Sequence, residues 1–192
     1  MKLRMIRIDD VKGVQEVYKP FVKNTPITFE YNVPSYKKFV KRVEKVCETY
    51  PWVVAEVDGE IAGYAYASRF KERMAFTWDV ETFIYVSEKS NSRGIGAALY
   101  SALEEILKMQ GFYNMYAMIT ATAKNSISFH EKMGYQKIYT LEKCAWKFDQ
   151  WYGMSCMEKR IGDFDTDPEP IIPIKIIDQK KIDKILDKYS TK

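Results

Sequence analysis

Apolar and polar positions alternate over residues 3–8, the two-residue period of a half-buried strand. Asp9 or Asp10 can then cap a helix on which Val11, Val14, Val17 and Tyr18 recur at helical spacing. Residues 24–34 hold two prolines and several aromatics and predict a structured loop. Ser35 is placed as the cap of a second helix with Phe39, Val40, Val43, Val46 and Cys47 on one side. Apolar runs over 52–57 and 61–68, joined by Asp58 and Gly59, predict a hairpin with a two-residue turn. A third β segment spans 78–86. The clearest helix follows, with Ile95, Leu99, Ala102, Leu103, Ile106 and Leu107 as its stripe and Gly111 as its end. A strand over 113–120, a helix over 125–133 closed by Gly134, and strands over 135–141 and 154–161 complete the order β-α-α-β-β-β-α-β-α-β-β. That order predicts an α/β fold built on a mixed sheet with helices on both faces. Residues 1–162 form one domain in this reading. Residues 163–192 form an acidic, proline-containing linker and a short amphipathic tail with Ile182, Ile185 and Leu186 on one side.

Composition narrows the function classes. The chain has 192 residues, 46% of them hydrophobic, which suits a single folded domain. The net charge of +4 is spread along the chain, so it favours an anionic cofactor without calling for nucleic acid. Cys47, Cys144 and Cys156 have neither metal spacing nor close pairing, so no metal and no disulfide framework is expected. The N-terminal residues lack a signal-peptide core, and no apolar run approaches the ~20 residues of a membrane span. A cytoplasmic protein with no membrane partner is the expectation.

One segment carries chemistry. Arg93-Gly94-Ile95-Gly96-Ala97 stands between a strand and a helix. Glycines allow backbone N–H groups to approach a phosphate, and the helix start favours negative charge. The pattern lacks the lysine of a P-loop and the third glycine of a dinucleotide fingerprint, since Leu99 occupies that place. Taken alone, it is equally an ordinary glycine turn.

Its neighbours decide between the two. Ile84-Tyr85-Val86, the run Asn91 to Gly96, and Ser126-Ile127-Ser128-Phe129-His130-Glu131-Lys132-Met133-Gly134-Tyr135 resemble the GNAT acetyltransferase superfamily. Tyr50 to Gly59, Gly63 to Ala67 and Trp78-Asp79-Val80-Glu81-Thr82 are similar to the subgroup that acetylates phosphinothricin and methionine sulfone or sulfoximine. Three positions depart from the family pattern: Asn91, Ala123 and Thr77.

The resemblance implies a GNAT fold and acetyl-CoA as acyl donor to a small amine, with a homodimer expected from relatives. It places the cofactor on Ile84, Tyr85, Val86, Ser92, Arg93, Gly94, Ile95, Gly96 and Ala97, with Asn125 standing in for the asparagine missing at Ala123. It makes Glu81 the general base, on the strand side shared by Asp79 and Phe83. His130 is either proton donor to the leaving thiolate or a cofactor contact. The backbone N–H of Val86 or a neighbour is the expected oxyanion donor, at a β-bulge. Phe29, Arg73 and Trp78 are the candidate substrate contacts, with Tyr31, Arg69 and Phe76 beside them. Two rival readings share the fold: a protein or peptide N-acetyltransferase, and a non-catalytic acyl-CoA sensor.

Overall fold

The computed structural model describes residues 1–90 and 94–191. Its strands are β1 (Lys2–Met5), β2 (Trp52–Val57), β3 (Glu60–Arg69), β4 (Asp79–Val86), β5 (Asn114–Thr120), β6 (Gln136–Lys147) and β7 (Gln150–Arg160). The helices are α1 (Val11–Asn24), α2 (Tyr36–Val46), α3 (Ile95–Gln110), α4 (Lys124–Lys132) and α5 (Gln179–Tyr189). The strands form one sheet in the order β1-β2-β3-β4-β5-β7-β6. Every pairing is antiparallel except β4 with β5, which α3 connects as a crossover.

Two cores sandwich the sheet. On one face α1 and α2 bury Val14, Val22, Phe39 and Val43 against Trp52, Tyr64 and Tyr66. Cross-strand aromatics stiffen this face: Tyr66 stacks on Trp52 at 4.0 Å and on Phe83 at 4.5 Å between ring centres. On the other face the stripe of α3 packs on Val53, Ala65, Val80 and Met115. Asp58 (φ 52°) and Gly59 (φ 81°) make the expected two-residue turn.

The last hairpin is longer than the sequence pattern shows. β6 and β7 run to a two-residue turn at Phe148 (φ 48°) and Asp149 (φ 55°). Both turn residues are left-handed without glycine or asparagine, so the usual hairpin signature is missing.

Residues 163–191 pack on the domain. Trp78 Nε1 donates to Glu169 O at 2.8 Å. Gln110 Nε2 bridges Thr49 O and Ile172 O. Ile182, Ile185 and Leu186 of α5 are buried in the α3 core beside Leu3. At the end of this segment Met1 N donates to Thr191 O, and Thr191 N returns to Met1 O, both at 2.9 Å. Among the described residues, no helix is long and apolar enough to cross a membrane, and no cluster of potential metal ligands occurs.

Candidate active site

β4 and β5 part early. Their ladder holds Asp79 with Asn114, Val80 with Met115 and Glu81 with Tyr116, and ends there. β4 continues its pairing with β3 as far as Val86. Ser87 N–H donates to Ala62 O at 2.8 Å. Alternation then turns the N–H and C=O groups of Ile84 and Val86 away from β3, into the gap. Gly63 lets the two strands approach here, since a Cβ on it would lie 3.0 Å from Tyr85 O. The bulge expected at Val86 is absent from the unbroken β3–β4 register. The β2–β3 register, one strand away, shifts between Ala55 and Glu56.

The gap opens into a cavity of about 610 Å³. Ile84, Tyr85 and Val86 line it from β4, Gly94, Ile95, Gly96 and Ala97 from the start of α3, and Asn125 from α4. Ser92 and Arg93, the other two expected cofactor contacts, lie outside the described residues. Gly94 takes φ 74° just before α3, and its carbonyl accepts the first helical bond from Ala98 N–H at 3.0 Å. The amides of Ile95, Gly96 and Ala97 precede that bond and have no acceptor among the described residues. Gly96 allows α3 and α4 to touch, because a Cβ there would lie 3.2 Å from the Phe129 ring. Helix-start amides with no acceptor among the described residues, an open left-handed glycine and splayed strand amides fit a diphosphate with an amide-bearing arm.

A second, smaller cavity of about 50 Å³ lies at the fork itself, between Thr82, Tyr100 and His130. His130 is held here by two hydrogen bonds. The ring is buried, with Nδ1 2.7 Å from Ser126 O and Nε2 2.9 Å from Tyr100 Oη. A carbonyl only accepts, so Nδ1 carries the hydrogen and Nε2 accepts from the tyrosine. Burial pushes the pKa of His130 down to about 4. In this tautomer the neutral ring presents no proton on Nε2. Tyr100 and Thr82 were missed as site residues. A tyrosine beside the aliphatic stripe of α3 was the available signal, because a buried hydroxyl needs a partner.

Glu81 is the last paired residue of β4 before the fork. It stands opposite Ser68 on β3 and Tyr116 on β5. Its carboxylate has no hydrogen bond or ion pair among the described residues, whereas Asp79 on the same face accepts from Asn114 Nδ2 at 2.8 Å. Desolvation alone raises the pKa of Glu81. An unpaired, partly buried carboxylate beside a forked strand pair is equipped to accept a proton.

The candidate substrate contacts separate. Phe29 is half-buried in the loop between α1 and α2. Arg73 is exposed in the β3–β4 connection. Trp78 stands in the turn just before β4, and its indole N–H donates to Glu169 O of the C-terminal segment. Arg69 is exposed with Glu72, and Tyr31 Oη reaches Trp146 O.

Known proteins share this fold. Residues 3–156 match the acetyltransferase (GNAT) domain family. Phosphinothricin N-acetyltransferase of Streptomyces viridochromogenes is 29% identical over 176 residues, 91% of this chain and 94% of that protein. The L-methionine sulfoximine/L-methionine sulfone acetyltransferase of Pseudomonas aeruginosa is 27% identical over 86% of this chain and 98% of its own length. A crystal structure of a GNAT superfamily phosphinothricin acetyltransferase from Sinorhizobium meliloti, in complex with AcCoA, is 32% identical with a TM-score of 0.85, covering 90% of this chain and 95% of that one. The forked β4–β5 pair and the glycine turn thus sit in a fold already seen with acetyl-CoA, and the chain belongs to the GNAT family of acetyltransferases.

Proposed function

We propose that the chain transfers an acetyl group from acetyl-CoA to the amino group of a small amino-acid-like substrate of the phosphinothricin or methionine sulfone type. The unpaired Glu81 carboxylate beside the fork carries this reading. Ile95, Gly96 and Ala97 amides hold the diphosphate, and the backbone groups of Ile84 and Val86 align the arm and stabilise developing negative charge on the acyl oxygen. Glu81 accepts the proton that the ammonium must lose before attack, directly or through one water. The amine attacks the thioester carbonyl without a covalent enzyme intermediate, the C–S bond breaks, and coenzyme A leaves as a thiolate that takes up the second proton of the attacking nitrogen through water. Burial pushes the Cys47 thiol up to about 11 and raises Cys156 as well, which keeps both protonated and poor nucleophiles.

Small-molecule acceptors are favoured over peptides by the pinned loop between α1 and α2. Thr120 Oγ1 donates to Pro26 O at 2.5 Å, and Ile27 lines both cavities. The outward Ile138, Leu141, Trp146 and Trp151 of the last hairpin support a homodimer.

A panel of amines with a free-thiol readout tests the reading, led by methionine sulfone, methionine sulfoximine and phosphinothricin. Thiol release only with peptides favours the protein acetyltransferase, and acetyl-CoA binding without release with any amine favours the sensor. Gly94→Val tests the cofactor half. A β-branched side chain resists φ 74° and would project into the cavity. Calorimetry is expected to show acetyl-CoA affinity reduced about tenfold or more, equivalent to ~1.4 kcal/mol. Unchanged affinity would remove the glycine turn from the cofactor site.

A further inference from the structure

We infer that Lys147, at the end of β6, is a positioning residue that sets the loop wall of the amine site. The inference rests on the proposed function above. Lys147 is only 2% exposed, yet among the described residues it makes no ion pair, and it lines neither of the two cavities above. Its Nζ donates to Val22 O at 2.8 Å, Thr25 O at 2.8 Å and Thr28 O at 2.7 Å. An ammonium has three protons, and all three are used on one short stretch of backbone.

The position of those carbonyls matters. Val22 lies in the last turn of α1, where carbonyls lack helical partners and the dipole favours a cation. Thr25 and Thr28 bracket Pro26 and Ile27, and Ile27 lines both the cofactor cavity and the fork. Thr28 Oγ1 bonds Tyr18 Oη at 2.7 Å, and the Tyr18 ring meets Tyr85 of β4 edge-on at 4.9 Å. The ammonium therefore fixes a wall whose other contacts run to the strand that carries Glu81.

The hairpin tip is built to hold the lysine inward. The residues after it, Phe148 and Asp149, both take left-handed φ, a strain that persists only where the surroundings enforce it. Phe148 faces the ammonium, with Nζ 4.8 Å from its ring centre. Tyr31 Oη donates to Trp146 O, a second link from the same loop to the same tip. Four hydrogen bonds thus tie the tip of the last hairpin to residues 22–31.

Steady-state kinetics of Lys147→Met, with methionine sulfone as amine, tests this. Methionine keeps the length and removes the three donors. The amine KM is expected to rise at least tenfold while kcat stays within threefold. Acetyl-CoA affinity by calorimetry is expected to change less than threefold, and Lys147→Arg, which keeps charge and donors, is expected to recover most of the KM. A wild-type KM in Lys147→Met overturns the inference. So does equal loss of KM, kcat and acetyl-CoA affinity without recovery by arginine, the mark of a general structural defect. If Lys147→Met does not fold, Tyr31→Phe carries the test, because its hydroxyl is at the surface. A two- to threefold rise in amine KM at constant kcat then supports the coupling, and an unchanged KM overturns it. A wild-type enzyme that releases no thiol with any amine overturns the proposed function instead, so the two failures are distinct.

Discussion

Glu81→Gln is expected to lower turnover about 10²- to 10³-fold, within the usual range for loss of a general base, while acetyl-CoA binding stays near the wild-type value. Glutamine keeps the shape of the side chain and cannot accept the ammonium proton. The pH profile carries the sharper signature. Burial raises the pKa of Glu81, so wild-type kcat/KM falls as pH drops through that raised value. The limb should vanish in Glu81→Gln and persist in His130→Gln, because His130 at about 4 is neutral across the working range. The amine's own titration is common to all three enzymes and cancels in the comparison.

Stability should move the opposite way. An acid whose folded-state pKa lies above its unfolded value favours the protonated native form. That contribution is fully present below the unfolded pKa and is lost as pH rises through the folded one. At neutral pH the ionised Glu81 is a burden on the fold, and Glu81→Gln is expected to raise Tm. A variant with an unchanged acid limb and unchanged Tm would rule out Glu81 as a desolvated base.

Deletion of residues 163–192 is expected to cost most of the protein's stability. The segment buries Ile174, Ile182, Ile185 and Leu186 in the α3 core. Each such side chain contributes about 1.5–3 kcal/mol by leaving water, and domains of this size are stable by only ~5–15 kcal/mol. The deletion also strips Gln110 of one of its two carbonyl partners and Trp78 of Glu169. Circular dichroism and soluble yield of the shortened chain should show an unfolded or aggregating protein. A shortened chain with native Tm would mean that the segment contributes little to the core it covers.

Sequence pattern and structure agree where the physics is local. The α3 stripe, the Ser35 cap, the Asp58–Gly59 turn and the alternation that sets Glu81 opposite Val80 each follow from neighbours within a few residues. The features that escaped depend on distant partners. Nothing near Trp78 shows that its indole will meet a carbonyl 91 residues away. Lys147 sits between Trp146 and Phe148, and its partners are about 120 residues earlier in the chain. The turn at Phe148 and Asp149 breaks the usual residue preferences, so β6 read as ending near Leu141 when it runs to Lys147. For His130 the residue type was legible. Its proton content was not, because that depends on the depth of burial and on Tyr100.

The mutual bonds between Met1 and Thr191 hold these two residues side by side. A few flexible residues across that join would close the polypeptide into a ring without disturbing the sheet. The ring could then be reopened at the exposed Asp58–Gly59 turn, giving a permuted enzyme with β1 and α5 covalently neighbouring and the order of the remaining elements preserved.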